Sequence, residues 1–185
     1  MRTLFLFMMV SLDGYFEGPD HDISWHNADN DEFQKFCAEQ NPQADAILMG
    51  HRTYDLMASF WPTQKAIELD PETARFMTDT RKYVVSHRPF DPGWKNATVM
   101  TGDVAGQVRA LKAQPGKGIA LFGSNTLLGG LMKEGLVDEY RIMVNPVVIG
   151  KGTPVFAGIA ERANLKLKKV RQFASGNVLL TYSNG

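Results

Sequence analysis

The stretch that most constrains this chain is Ile119-Ala120-Leu121-Phe122-Gly123-Ser124-Asn125-Thr126-Leu127-Leu128-Gly129-Gly130-Leu131-Met132. Its leading apolar residues suit a buried strand. Gly123 and three small polar residues follow, and the apolar residues at 127, 128, 131 and 132 share one helical face. The pattern predicts strand, tight turn, helix. The first turn of such a helix leaves backbone N–H groups unpaired at the positive end of the helix dipole. Glycine lets a ligand approach the backbone, and Ser or Thr either caps the helix or donates to an anion. Two readings stand side by side here: a phosphate site, or a capped turn with no ligand.

The same device recurs. Ala46 to Met49 reads as a strand closed by Gly50, after which His51-Arg52-Thr53 opens a helix. Tyr83 to Ser86 reads as a strand followed by His87-Arg88-Pro89. Leu4 to Val10 is a continuous apolar run, as in a strand buried on both faces. Asp29 to Gln40 is expected to be a helix, with Asp29 and Glu32 as a capping box and Phe33, Phe36 and Cys37 on one face. Asp29, Asp31 and Glu32 suit a helix N-terminus, and one of them is also a candidate to point into a cleft. Residues 13–28 form a polar loop in which Trp25 is either a packing anchor or part of a lid. Asp70-Pro71 starts another helix. Ala97 to Met100 is a strand, Val104 to Ala113 a helix, and Tyr140 to Ile149 a strand in which Pro146 marks a bulge or an edge. Leu165 to Phe173 and Val178 to Tyr182 form a hairpin around residues 175–177.

This alternation predicts an α/β fold with a mainly parallel sheet and an antiparallel edge. Ligands of such sheets lie outside the carboxyl ends of the strands. The groups at Gly50 to Thr53, Ser86 to Arg88 and Gly123 to Thr126 should then share one rim, which suits a nucleotide cofactor.

Composition narrows the classes further. A chain of 185 residues is expected to be one domain. Twenty basic and twenty acidic side chains cancel, with no cationic block, so neither nucleic acid nor an anionic membrane is an expected partner. The one cysteine, Cys37, excludes an intramolecular disulfide and is expected in the core. The apolar run at the start stops at Ser11 to Gly14 without a cleavage site, and no stretch is long enough to span a bilayer; a cytoplasmic protein is expected. His21 and His26 lack a third ligand, so no metal is expected.

Several segments together resemble the dihydrofolate reductase-like superfamily, in particular the branch containing the reductase domain of bacterial riboflavin biosynthesis. They are Val10-Ser11-Leu12-Asp13-Gly14, Ile47 to Tyr54, Tyr83 to Ser86, Leu121-Phe122-Gly123-Ser124, Leu136 to Glu139, Asn145 to Gly152, and Pro154-Val155-Phe156. The resemblance implies a three-layer α/β/α fold and NADPH as cofactor. Gly123, Ser124, Asn125 and Thr126 would receive the pyrophosphate. With Gly50 at the turn, His51, Arg52, Thr53, Ser86, His87 and Arg88 would surround the adenosine 2′-phosphate and the neighbouring phosphate. Family members commonly carry Arg directly after that glycine, where this chain has His51 and then Arg52. The resemblance further implies hydride transfer to a small pterin-, pyrimidine- or carbonyl-type substrate, with Asp29, Asp31 and Glu32 as candidate ring-reading acids. Tyr54-Asp55-Leu56-Met57 departs from the acidic Asp-Asp-Pro segment of the riboflavin reductases. Such proteins often pair as homodimers, for which the terminal hairpin is the expected surface. The alternative is a catalytically inactive ligand-binding protein on the same fold.

Overall fold

The computed structural model describes residues 1–185 apart from Asp29 and Ala160. Strands and helices follow in the order β1 (Leu4–Ser11), β2 (Tyr15–Glu17), α1 (Asp31–Gln40), β3 (Ala44–Gly50), α2 (His51–Phe60), α3 (Gln64–Leu69), α4 (Pro71–Asp79), β4 (Arg81–Val85), β5 (Ala97–Met100), α5 (Val104–Ala113), β6 (Gly118–Leu121), α6 (Asn125–Lys133), β7 (Glu139–Asn145), β8 (Thr153–Pro154), β9 (Leu165–Gln172) and β10 (Val178–Asn184). Eight strands form one sheet in the order β5-β4-β3-β6-β1-β7-β10-β9, and β2 pairs with β8 in a small second sheet. From β5 to β7 every neighbour is parallel. Within this sheet β10 runs antiparallel to both of its neighbours, β7 and β9.

Strand periodicity sorts the apolar side chains into two cores. Leu4, Leu6, Met8 and Val10 of β1 face one way, packing with Leu48, Leu121, Val108 and Leu111 of α5, and Leu127, Leu128 and Leu131 of α6. Met9 faces the other way, onto Phe36 and Cys37 of α1 with Phe7 alongside, while Ile47 and Met49 of β3 meet Tyr54 of α2 and Met77 of α4. Helices therefore cover both faces of a mainly parallel sheet, which is why β1 reads as an unbroken apolar run. Each fully buried Leu or Ile contributes about 1.5–3 kcal/mol.

Two buried lysines are held by backbone carbonyls and a carboxylate rather than by solvent. Lys82 Nζ donates to the carbonyls of Met77, Thr78 and Thr80 at 2.7, 3.0 and 2.8 Å. It thereby satisfies orphan acceptors at the C-terminus of α4, and it lies 4.4 Å from the Trp94 ring centroid. Burial pulls its pKa down to about 8. Lys112 Nζ donates to Leu136 O at 2.7 Å and to Asp138 Oδ2 at 2.6 Å. The same carboxylate oxygen accepts from Leu4 N at 2.7 Å, so Asp138 ties α5 to the start of β1.

Three local expectations are corrected, and one helix is added. Helix α1 begins at Asp31 and is capped by Asn30, whose side chain accepts from Phe33 N at 2.9 Å. Asp29, expected as the cap, lies outside the described residues. Strand β7 stops at Asn145, immediately before Pro146, because proline has no N–H to give a ladder. The segment 13–28 is not wholly a loop: it contains β2 and the one-turn 3₁₀ helix Pro19–His21. Between Trp61 and Asp70 the chain adds α3, capped by Thr63.

Candidate functional site

Sheet register brings the three turns level. Gly50 is the partner of Val85 across β3 and β4, and Leu48 is the partner of Leu121 across β3 and β6. Two residues further on, Gly50 N donates to Gly123 O at 2.9 Å. Ser86 and Gly123 thus flank Gly50 on the carboxyl rim of three adjacent parallel strands. A side chain at Gly50 would place its Cβ 3.1 Å from Ser124 Oγ, so this glycine lets the two turns touch. Gly123 has φ +94°, a conformation that glycine adopts without strain.

A cavity of about 980 Å³ opens on this rim, lined by Gly50, His51, Arg52, Ser86, His87, Arg88, Ser124, Asn125 and Thr126, among others. Three helices start beside it. The cap of α2 is Gly50, which makes no side-chain cap bond, so the first turn of α2 has no capping side chain. Helix α6 is capped by Ser124, which accepts from Leu127 N. Val104 and Ala105 of α5 complete the wall. Helix N-termini gathered around one space favour an anion.

The cationic side chains on this rim differ in their commitments. Arg52 donates through Nη2 to Glu17 Oε1 at 2.9 Å, with its side chain about half exposed. His51 stacks on Phe90 with ring centroids 3.8 Å apart, and its Nδ1 lies 3.3 Å from Ser86 Oγ. Arg88 is exposed and has no ion-pair partner among the described residues; its backbone N–H donates to Ser86 Oγ at 3.3 Å. His87 is exposed beside it.

Thr53 and Gly123 belong instead to a second cavity of about 500 Å³. Its walls include Phe7, Met8, Phe33, Met57, Trp61 and Phe122. Arg52 lines both spaces, so the α2 start and the Gly123 turn form their common wall. Cys37 also lines this cavity, and burial pushes its thiol up to about 12, leaving it protonated. Burial likewise lowers the His26 pKa, and its Nε2 lies 3.3 Å from Phe16 O.

Two of the acids expected near the substrate, Asp31 and Glu32, are placed elsewhere, and the third, Asp29, lies outside the described residues. Asp31 is exposed and Glu32 accepts from Ala174 N at 2.6 Å, anchoring α1 to the terminal hairpin. Neither lines either cavity. Trp25 packs within its own loop, donating to Asp22 O at 3.1 Å.

Glu17, which does reach this region, is 5 % exposed. It accepts from Arg52, lies 3.1 Å from His21 Nδ1 and accepts from Thr153 Oγ1 at 2.8 Å. Its strand is three residues long, too short to show a period in the sequence. Asp13 joins the same corner: bonds from Ser11, Gly150 N and Ile149 N hold its carboxyl below the usual range. The Asp13-Gly14 and Gly150 to Gly152 segments are thus two halves of one contact.

Comparison with known proteins agrees with this architecture. The chain is 33% identical over 182 residues to the uncharacterized protein YyaP of Bacillus subtilis (strain 168), covering 98% of this chain and 94% of that one. A pyrimidine reductase-like protein from Corynebacterium diphtheriae superposes with TM-score 0.71 at 15% identity, covering 100% of this chain and 92% of that chain. Dihydrofolate reductase from Enterococcus faecalis, complexed with NADP(H), superposes with TM-score 0.64 at 14% identity, covering 99% of this chain and 96% of that chain. The fold is therefore dihydrofolate reductase-like, a reductase-type fold. With residues 2–179 matching its model, the chain belongs to the RibD C-terminal domain family.

Proposed function

We propose that this chain is an NADPH-dependent reductase acting on a small pterin-, pyrimidine- or carbonyl-type molecule, working as a single domain and as a homodimer in the cytoplasm. The observation that carries this reading is the rim itself. Small polar and cationic side chains from three turns line one cavity of about 980 Å³, and an apolar cavity adjoins it across the Gly123 turn. The NADP(H) held by the Enterococcus faecalis reductase supports the same choice of cofactor.

The donor set fits such a cofactor. Backbone N–H groups at the starts of α2 and α6 would receive the pyrophosphate, with Ser124, Asn125 and Thr126 beside them. Arg88, Arg52 and His51 would hold the 2′-phosphate through charge-assisted bonds. When bound, the cofactor supplies a hydride. The chain's own part is to orient the two ligands across the Gly123 turn and to keep water from the reacting faces with Phe7, Phe122 and Met8.

Titrating NADPH against the protein while following cofactor fluorescence tests the reading. Saturable binding is expected, with NADPH preferred over NADH; no binding at millimolar cofactor overturns it. A second reading, a ligand-binding protein without turnover, is favoured by one observation. Two of the acids lining the apolar cavity are already committed: Glu17 to its three partners, and Asp70 to the N-cap of α4. That reading expects cofactor binding with no NADPH oxidation across pterins, flavin precursors and quinones.

A further inference from the structure

Resting on the reductase reading, we infer that the apolar cavity beside Gly123 selects an uncharged, flat aromatic acceptor and rejects substrates bearing a phosphate or carboxylate. The walls argue for a flat, greasy occupant. Phe7, Phe33, Phe122 and Trp61 supply ring surface, and Met57 and Met77 supply adaptable packing.

Charge argues for neutrality. Arg52 is the one Lys or Arg lining the cavity among the described residues, and Glu17 already holds it. Against it stand three carboxylates: Glu17, Asp55 and Asp70. Asp55 has a side chain 63% exposed and lies 3.6 Å from His51 Nε2, so it stands on the solvent side of the lining. An anionic ligand entering here meets acids and finds no free guanidinium, whereas the first cavity carries Arg88 without an acid partner among the described residues.

Several polar groups of the lining also have partners already. Asn41 Nδ2 donates to Thr73 Oγ1 at 3.1 Å, and Gln40 Oε1 accepts from Arg141. Asp70 accepts from Thr73 N at 3.0 Å. The bonds already made reduce what these groups offer a sugar or a phosphate tail, and stripping water from such a tail without replacing its bonds is unfavourable.

The test uses the full chain, alone and with saturating NADP⁺, titrated calorimetrically with menadione, an uncharged naphthoquinone, and with a naphthoquinone sulfonate, its anionic counterpart. Menadione is expected to bind at least about tenfold more tightly, the scale set by a single like-charge encounter at partly screened distance. Asp55→Lys should narrow that gap by tightening the sulfonate without weakening menadione. Equal or tighter binding of the sulfonate, no menadione binding at millimolar concentration, or a gap unmoved by Asp55→Lys overturns the inference. NADPH titrated in parallel keeps the two ideas separable: NADPH that binds while the sulfonate matches menadione overturns the selectivity alone. Absence of NADPH binding overturns the cofactor reading, and the naphthoquinone preference is still read in the chain alone.

Discussion

Arg52 and Glu17 form a 2.9 Å ion pair that joins the first turn of α2 to β2, with the carboxylate buried and the guanidinium half exposed. Arg52 stands at the wall between the two cavities, so its charge is already balanced before any cofactor arrives. Of the two arginines lining the first cavity, Arg88 is the one with no acid partner among the described residues.

A cofactor prediction follows from that contrast. Arg88→Ala should weaken NADPH about tenfold and NADH by less than about twofold, because only the 2′-phosphate distinguishes them. Arg52→Ala should weaken NADPH less, since its guanidinium is already balanced by the Glu17 carboxylate. Parallel fluorescence titrations decide, and equal losses of both cofactors in Arg88→Ala would remove it from the 2′-phosphate site.

The Gly123 turn supplies a second. Valine there would have to adopt φ +94°, with its Cβ 3.4 Å from Met8 Cε and 3.5 Å from Thr53 Oγ1. Gly123→Val should cost about 1–3 kcal/mol in denaturant unfolding and weaken NADPH at the same time. Unchanged stability and affinity together would mean that the turn accepts a side chain and that nothing binds against it.

Lys82 gives a pH dependence. Its pKa falls from an ordinary 10.5 to about 8 through burial. Between those values the unfolded chain holds a proton that the folded chain has released. Its contribution is therefore fullest above 10.5 and is lost as pH falls through about 8. Unfolding free energies of the wild type and Lys82→Met should thus diverge in favour of the wild type as pH rises from about 7.5 to about 10. A constant difference would mean that Lys82 titrates normally.

Asp138 tests the framework away from the site. Asp138→Ala strands the buried Lys112 ammonium with one carbonyl and removes the acceptor for Leu4 N. A loss of about 1–3 kcal/mol is expected, with cofactor affinity retained when measured well below the melting transition. Asp138→Asn should recover part of it by accepting the same bonds.

Much of this molecule was legible in its sequence where the signal was local. Val104 to Ala113 is a helix with those limits, and Asp70-Pro71 starts α4 with Asp70 accepting from Thr73 N. Both depend on cap chemistry and a 3.6-residue period within a few neighbouring positions. The rim was legible for the same reason, since a parallel sheet puts successive strand ends on one side. What escaped was non-local. β2 is too short for a period and is defined by β8, more than 130 residues later, to which Glu17 is joined through Thr153. Nothing near Glu17 in the chain announces that it will neutralise Arg52. The choice of cap between Asp29 and Asn30 was equally undetermined, because either residue type serves.

The pairing of β2 with β8 has a consequence for how this protein tolerates change. At Gly152 an added Cβ would sit 2.1 Å from the backbone oxygen of Glu17, so no other residue fits there without pushing the two strands apart. Separating them would pull Glu17 off Arg52 and unsettle both compartments at once. A single methyl group at Gly152 therefore acts as a remote mutation of the Arg52 rim.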